Sequence, residues 1–162
     1  MPEIPPEIEP ILYSVSDPEI PVLSVLDMGV IRKVDKDNGK YIISITPTYS
    51  GCPAMDTIAD DIVSAMKKSN YTAEVKLVLH PAWTTDWITE RGRKNLEEYG
   101  IAAPLNADLD KMALKGEKSM VSCTNCGSQK TKLVSRFGST ACKALFQCQD
   151  CHEPFDYFKC LK

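Results

Sequence analysis

The sequence predicts an α/β (α+β) protein: a small helix-packed sheet of order α-β-β-α-β-α, then a separate C-terminal four-cysteine zinc ribbon. Three observations carry this reading. Apolar residues recur at helical spacing in 6–17 and again in 53–70. Runs of β-branched residues at 28–35 and 40–46 flank the turn signal "KDNG". Two C-x-x-C pairs, Cys123/Cys126 and Cys148/Cys151, lie near the C-terminus.

Each element has its own justification. "PEIEPILYSVSD" sets Ile8, Ile11, Leu12 and Val15 at helical spacing; Pro6 suits the first turn, and "DPEIP" ends the helix because proline cannot continue it. The segments 28–35 and 40–46 form a β-hairpin. "PAMDTIADDIVSAMKKSN" (53–70) is the clearest helix, with Met55, Ile58, Ala59, Ile62, Val63 and Met66 on one face. Acid toward its start and lysine at its end suit the helix dipole. "TAEVKLVLH" (72–80) is a third strand. "TTDWITERGRKNLEEYG" (84–100) reads as a second long helix, capped by Thr84 or Thr85 and stopped at Gly100. Residues 104–118 lack sustained periodicity and are expected to link a first domain, 1–103, to a module over 119–162. In that module "TKLVSRF" and "KALFQC" are strands on either side of a turn at "FGST".

Composition restricts the function classes. The chain has 162 residues, 43% hydrophobic and 25% charged, as an ordinary globular protein does. Residues 1–115 carry twelve Lys/Arg against eighteen Asp/Glu, while 116–162 carry seven against four. The acidic first part disfavours a polyanionic partner, and zinc-bound thiolates would cancel most of the positive charge of the second, so nucleic acid is not an expected partner. "MPEIPPEIEP" has neither a basic start nor an apolar run, and no stretch reaches the ~20 apolar residues of a bilayer span. A cytoplasmic protein without a membrane partner is expected. Its seven cysteines then point to metal or thiol chemistry rather than disulfides.

Two sets of cysteines are chemical candidates. Cys123, Cys126, Cys148 and Cys151 have the spacing of two knuckles closing on one structural zinc, with Gly127 in the first knuckle. A module of fewer than 50 residues builds little core and needs such a staple. A redox dithiol pair and a four-cysteine iron–sulfur site are the competing readings. Cys142 and Cys160 read as small buried apolar residues, with Cys142 or His152 as substitute ligands that a complete four-cysteine set does not need. Cys52 is the second candidate. Pro53 suits the first helical position, which makes Cys52 the expected N-cap, where the helix dipole favours an exposed thiolate. Gly51 allows close approach of a ligand, and Thr48, Tyr49 and Ser50 supply hydroxyls. An inert, buried Cys52 is the competing reading. His80 ends the third strand and reaches Cys52 only if that strand runs beside the one before Thr48; no third catalytic member or oxyanion motif accompanies them.

"DPEIPVLSVLDMGVI" followed by "PTYSGCPAMDTI" resembles the SufT-type iron–sulfur assembly domain. "HPAWTTDWITERGRKNLEEYGIAAP", the four-cysteine ribbon and the ending "EPFDYFKC" resemble the PaaD (PaaJ) family of bacterial phenylacetate degradation. The resemblance covers nearly the whole chain, with 105–118 least distinctive. It implies membership of the system that epoxidises the ring of phenylacetyl-CoA, in which a di-iron subunit does the chemistry and a reductase carries flavin and a [2Fe–2S] cluster. This sequence has neither a helical Glu-x-x-His set nor a dinucleotide fingerprint. The resemblance therefore implies a non-catalytic maturation factor with a structural zinc and a transient iron–sulfur cluster or iron. Cys52 matches the domain family's single cysteine and Asp17 its "DPE" aspartate, which either tunes or caps the Cys52 loop or serves only as a helix-ending turn. Expected partners are the oxygenase components, above all the iron–sulfur flavin reductase, and a second copy of the chain, since one cysteine cannot hold a cluster alone. The alternative is a structural subunit or docking module, for which Trp83 and Trp87 would suit an interface if exposed, although core packing is the default for both.

Overall fold

In the computed structural model, which describes residues 2–116 and 120–159, the chain divides into two units. The first runs to Trp83 and includes Trp87–Gly92. Its three-stranded sheet has the order β1-β2-β3, with β1 at Ile31–Asp37, β2 at Lys40–Ile45 and β3 at Thr72–Leu77. Asn38 and Gly39, at φ of 48° and 82°, make the two-residue turn between β1 and β2, as the Asn-Gly pair requires. β2 and β3 are parallel, and α2 (Ala54–Lys68) is the crossover between them. Along β2 buried Tyr41, Ile43 and Ile45 alternate with half-buried neighbours. Met55, Ile58, Ile62 and Met66 of α2 join them in the core, with Ile8 and Leu12. Val63 is 37% exposed, so the buried stripe of α2 is narrower than predicted. Asn70 closes α2 in the left-handed region; its N–H reaches the Lys67 carbonyl and the Tyr71 N–H reaches that of Met66.

Three boundaries differ from the expectations. The first helix shrinks to α1 (Glu9–Tyr13), because the Ser14 hydroxyl and N–H turn back onto the Ile11 carbonyl. The third strand ends at Leu77, although the Val78 N–H still donates to Ile45. The long helix over 84–100 is a 3₁₀ turn, Thr85–Trp87, followed by α3, Glu90–Glu98. Thr89 is its true cap: its hydroxyl accepts the Gly92 N–H at 3.0 Å, while the Thr84 hydroxyl is occupied by the Asp86 N–H. Trp83 is buried and donates its indole N–H to the Met28 carbonyl at 2.9 Å. Trp87 is half-buried under the Arg32 guanidinium, 3.5 Å from the ring centre. Neither indole offers the open interface that the docking alternative invoked.

The second unit comprises Thr84–Asp86 and the residues from Arg93 on. Its sheet has the order β4-β7-β6-β5, from Ile101–Ala102, Pro154–Phe158, Lys143–Cys148 and Thr131–Ser135. β5 and β6 are the two strands expected beside "FGST"; β7 and the two-residue β4, paired in parallel, were not foreseen. Residues 104–118, expected as a linker, contain α4 (Ala107–Leu114). The Asn106 side chain caps it by accepting the Leu109 N–H. Buried Asp110 then accepts from the Thr85 hydroxyl, the Leu105 N–H and the Tyr157 hydroxyl. These long-range bonds hold a helix that its own periodicity does not announce. Phe146, Phe155 and Tyr157 centre the core of this unit, with Ala113 from α4.

Candidate functional site

The two C-x-x-C segments fold into matching knuckles. In each, the N–H of the first cysteine donates to the carbonyl five residues on, Cys123 to Ser128 and Cys148 to Glu153, both at 2.9 Å. The position after each second cysteine is left-handed: Gly127 has φ 73° and His152 φ 63°. His152 is thus the turn residue of its knuckle, while the four cysteines are complete without it. The Cys151 N–H donates to Cys148 Sγ at 3.4 Å, and together with the Asp150 N–H and the neighbouring sulfurs it lowers that thiol's pKa. All four sulfurs lie within 4.8 Å of one another, and the pairs Cys123–Cys151 and Cys126–Cys148 are 3.6 Å apart. A disulfide needs about 2.05 Å. A tetrahedral zinc with Zn–S bonds of about 2.3 Å sets its sulfurs roughly 3.8 Å apart. The donor set and spacing therefore fit one tetrahedral metal ion, and zinc would act there as a closed, structural centre. Cys142 is buried with its sulfur 3.0 Å from the Thr140 hydroxyl and is not part of this cage; Cys160 lies outside the described residues.

Cys52 sits in the loop between β2 and α2. The Cys52 N–H closes a turn onto Tyr49, Gly51 is left-handed at φ 88°, and the Met55 N–H bonds the Cys52 carbonyl at 3.4 Å. The expected cap is displaced by one residue. Pro53 is already helical at φ −71°, occupies the cap position and offers no side-chain bond, so Cys52 precedes the cap. The thiol is half-buried, and the Ala54 N–H and the Thr48 hydroxyl lie where they favour its thiolate form. Thr48 is itself buried, Tyr49 half-buried, and Ser50 and Gly51 exposed.

The expected low thiol pKa does not hold. Burial pushes the Cys52 thiol up, the Ala54 N–H and the Thr48 hydroxyl only partly oppose it, and the negative charges of Asp17 and Glu19 raise it further. Cys52 therefore rests as the thiol. The structure brings Asp17, Thr48 and Cys52 into one electrostatic neighbourhood and adds Glu19, which the sequence reading passed over although it stands in the same "DPE" run. Asp17 is fixed there, its Oδ1 accepting the N–H groups of Glu19 and Ile20, each at 2.8 Å. The parallel pairing of β2 and β3 carries the chain beyond both strands to the same end of the sheet, and His80 is exposed there. Alkylation of Cys52, followed by mass spectrometry of its peptide, is expected to be slow at pH 7 and still accelerating past about pH 9. A rate already at its plateau near pH 7 would contradict the resting thiol.

Comparison with known proteins places this architecture. Residues 6–77 match the family described as iron–sulfur cluster assembly protein, and residues 107–159 match the PaaD zinc beta ribbon domain. A protein of Escherichia coli K12 described as the D component of 1,2-phenylacetyl-CoA epoxidase is 47% identical over 156 residues, covering 96% of this chain and 92% of its own length. An Fe-S protein maturation auxiliary factor of Porphyromonas gingivalis is 34% identical over 93 residues, 56% of this chain and 88% of that protein. Among solved structures, a Bacillus anthracis domain titled a domain of unknown function, DUF59, matches with a TM-score of 0.50 and 25% identity over 54% of this chain and 85% of that one. An assembly-domain match ahead of a PaaD ribbon match, in a chain nearly half identical to an epoxidase component along almost its whole length, is one architecture, and the chain belongs to the PaaD family.

Proposed function

We propose that this protein is a non-catalytic maturation factor of the phenylacetyl-CoA ring-epoxidising oxygenase, and that Cys52 receives an iron–sulfur or iron centre and passes it to the reductase. The observation that carries the reading is the Cys52 loop itself. Cys52 is the only cysteine in residues 1–122, so this unit offers one thiolate ligand. It is half-buried, with the Thr48 hydroxyl and the Ala54 N–H beside it. The carboxylates that disfavour a bare thiolate favour a cation at the same sulfur. An arriving iron centre displaces the thiol proton to water, and the sulfur then donates to iron. A client's thiolate later takes that coordination position, and Cys52 is reprotonated. Ligand exchange alone completes the transfer, and an incomplete protein shell keeps it fast.

The test is anaerobic purification with zinc, iron and acid-labile sulfide measured per chain, in the wild type and in Cys52→Ser. The expected result is about one zinc in both, with iron and sulfide lost only in the variant. Iron and sulfide retained in Cys52→Ser would remove Cys52 from the reading.

A docking role has one observation in its favour. Phe137 and Val134, at the β5–β6 hairpin of the ribbon, are 63% and 52% exposed. On that reading the protein co-elutes stably with the oxygenase and Cys52→Ser leaves oxygenase activity unchanged.

A further inference from the structure

β3 is an edge strand: it pairs with β2 on one side, and among the described residues no strand covers the other. Such an edge is a template for another strand unless the chain blunts it. Here it is not blunted by proline or by a bulge, and it carries apolar side chains into solvent, Leu77 at 56% and Leu79, just beyond it, at 63% exposure. We infer that β3 pairs antiparallel with β3 of a second copy of this chain, about a two-fold axis at Val75, to make one six-stranded sheet.

The backbone decides which residues face the open edge. The Val78 N–H points at β2, where it donates to the Ile45 carbonyl at 2.8 Å. By the alternation of a strand, Thr72, Glu74 and Lys76 also direct their backbone groups inward. Ala73, Val75 and Leu77 direct theirs outward. A two-fold pair must therefore exchange hydrogen bonds between odd-numbered residues.

Charge then selects the register. With the axis at Val75, Glu74 lies opposite Lys76 of the second copy, and Lys76 opposite its Glu74. These are non-hydrogen-bonded pairs, in which side chains approach most closely. On the other face Val75 meets Val75, and Ala73 meets the exposed Leu77. An axis at Glu74 or Lys76 sets like charges directly opposite each other. An axis at Ala73 or Leu77 leaves the Glu74–Lys76 pairing unused. Within one chain Glu74 already pairs with Lys40 and lies 3.9 Å from Lys76, so both charges are held on the same face of the strand.

The geometry has a consequence for Cys52. The Cys52 loop leaves the sheet where β2 ends, and the parallel β3 finishes at that same end of the sheet. Antiparallel pairing sends the two copies' strand ends in opposite directions. A six-residue strand is about 20 Å long, so the two Cys52 sulfurs stand at opposite ends of the joint sheet and do not share one cluster. The dimer does not depend on the proposed function; if that function holds, each Cys52 finds its remaining ligands on cargo or client and not on its twin.

The test uses sedimentation equilibrium on the full chain, over a wide concentration range, for wild type, Glu74→Lys, Lys76→Glu and an equimolar mixture of the two variants. The wild type is expected to dimerise. Each variant alone sets like charges opposite twice and is expected to dissociate at least about tenfold more readily. In the mixture, one chain carries lysine at both positions 74 and 76 and the other carries glutamate at both. Opposite charges then face each other twice, so dimers return as heterodimers. Lys76→Glu leaves the Lys40–Glu74 pair in place, and circular dichroism of each variant reports its fold. A wild type that stays monomeric overturns the inference, as does a dimer indifferent to both reversals or a mixture that does not recover.

Discussion

Removing the metal from the four-cysteine cage with a chelator is expected to unfold the ribbon while the first unit stays folded. The ribbon core is small, centred on Phe146, Phe155 and Tyr157, and two of its buried residues, Cys123 and Cys148, are themselves cage sulfurs. A core of this size contributes only a few kcal/mol beyond chain entropy. Metal binding to such a module is worth about 10–16 kcal/mol at neutral pH, so the metal decides whether β5, β6 and β7 exist. The two readouts separate cleanly, because both tryptophans of the chain, Trp83 and Trp87, belong to the first unit. Far-ultraviolet dichroism is expected to lose strand signal while tryptophan emission holds. Cys126→Ser is expected to reproduce the loss without chelator. A ribbon that keeps its dichroism with the metal shown to be gone would sink the structural-metal assignment.

What the sequence disclosed depended on how local the cause was. The cage could be read because its geometry is written in x-x spacing. The β1–β2 hairpin could be read because Asn38-Gly39 selects one turn type. α2 could be read because four core positions repeat on one face. α4 could not: its anchor is Asp110, whose partners Thr85 and Tyr157 lie far away in sequence. β7 escaped because "PFDYF" follows directly on the second knuckle, and only pairing with β6 and β4 makes it a strand. At Cys52 the helix dipole was legible and pointed to a lowered pKa. Burial and the carboxylates of Asp17 and Glu19, brought in from the segment after α1, outweigh it. Dipole effects at a helix end are about 0.3–1 kcal/mol, and at the half-buried Cys52 thiol desolvation is the largest influence.

Asp27→Ala is expected to destabilise the first unit strongly. Asp27 is 2% exposed, and nothing in the sequence singles it out. Its carboxylate accepts from the Ser24 hydroxyl at 2.9 Å, the Thr89 hydroxyl at 2.7 Å and the Arg91 guanidinium at 2.7 and 3.1 Å. Arg91 also stacks on the Tyr13 ring, 3.8 Å from its centre. One carboxylate thus ties the loop before β1 to the cap of α3, and its loss strands three donors. Leaving the Ser24 and Thr89 hydroxyls without their acceptor costs about 1–3 kcal/mol each at most, while the Arg91 side chain, 53% exposed, is resolvated and adds little. Together that is a large share of the roughly 5–15 kcal/mol that holds a domain together.

The same cluster predicts a pH dependence. Burial alone would raise the Asp27 pKa, but the bonds from Arg91, Thr89 and Ser24 hold it below the usual 3.8. A carboxyl with a lowered folded-state pKa contributes stability that is fully present above its unfolded value and lost as pH falls through the folded one. Urea melts followed by tryptophan emission are suited to the test, since the Trp83 indole bonds the carbonyl of Met28, the next residue after Asp27. The wild-type midpoint is expected to fall as pH drops below about 4. Asp27→Ala is expected to start with a lower midpoint at pH 7, with the slope of the transition unchanged, and to lose less on acidification. Equal midpoints for variant and wild type at pH 7 would mean that the Ser24 and Thr89 bonds contribute nothing, which the near-complete burial of the carboxylate argues against.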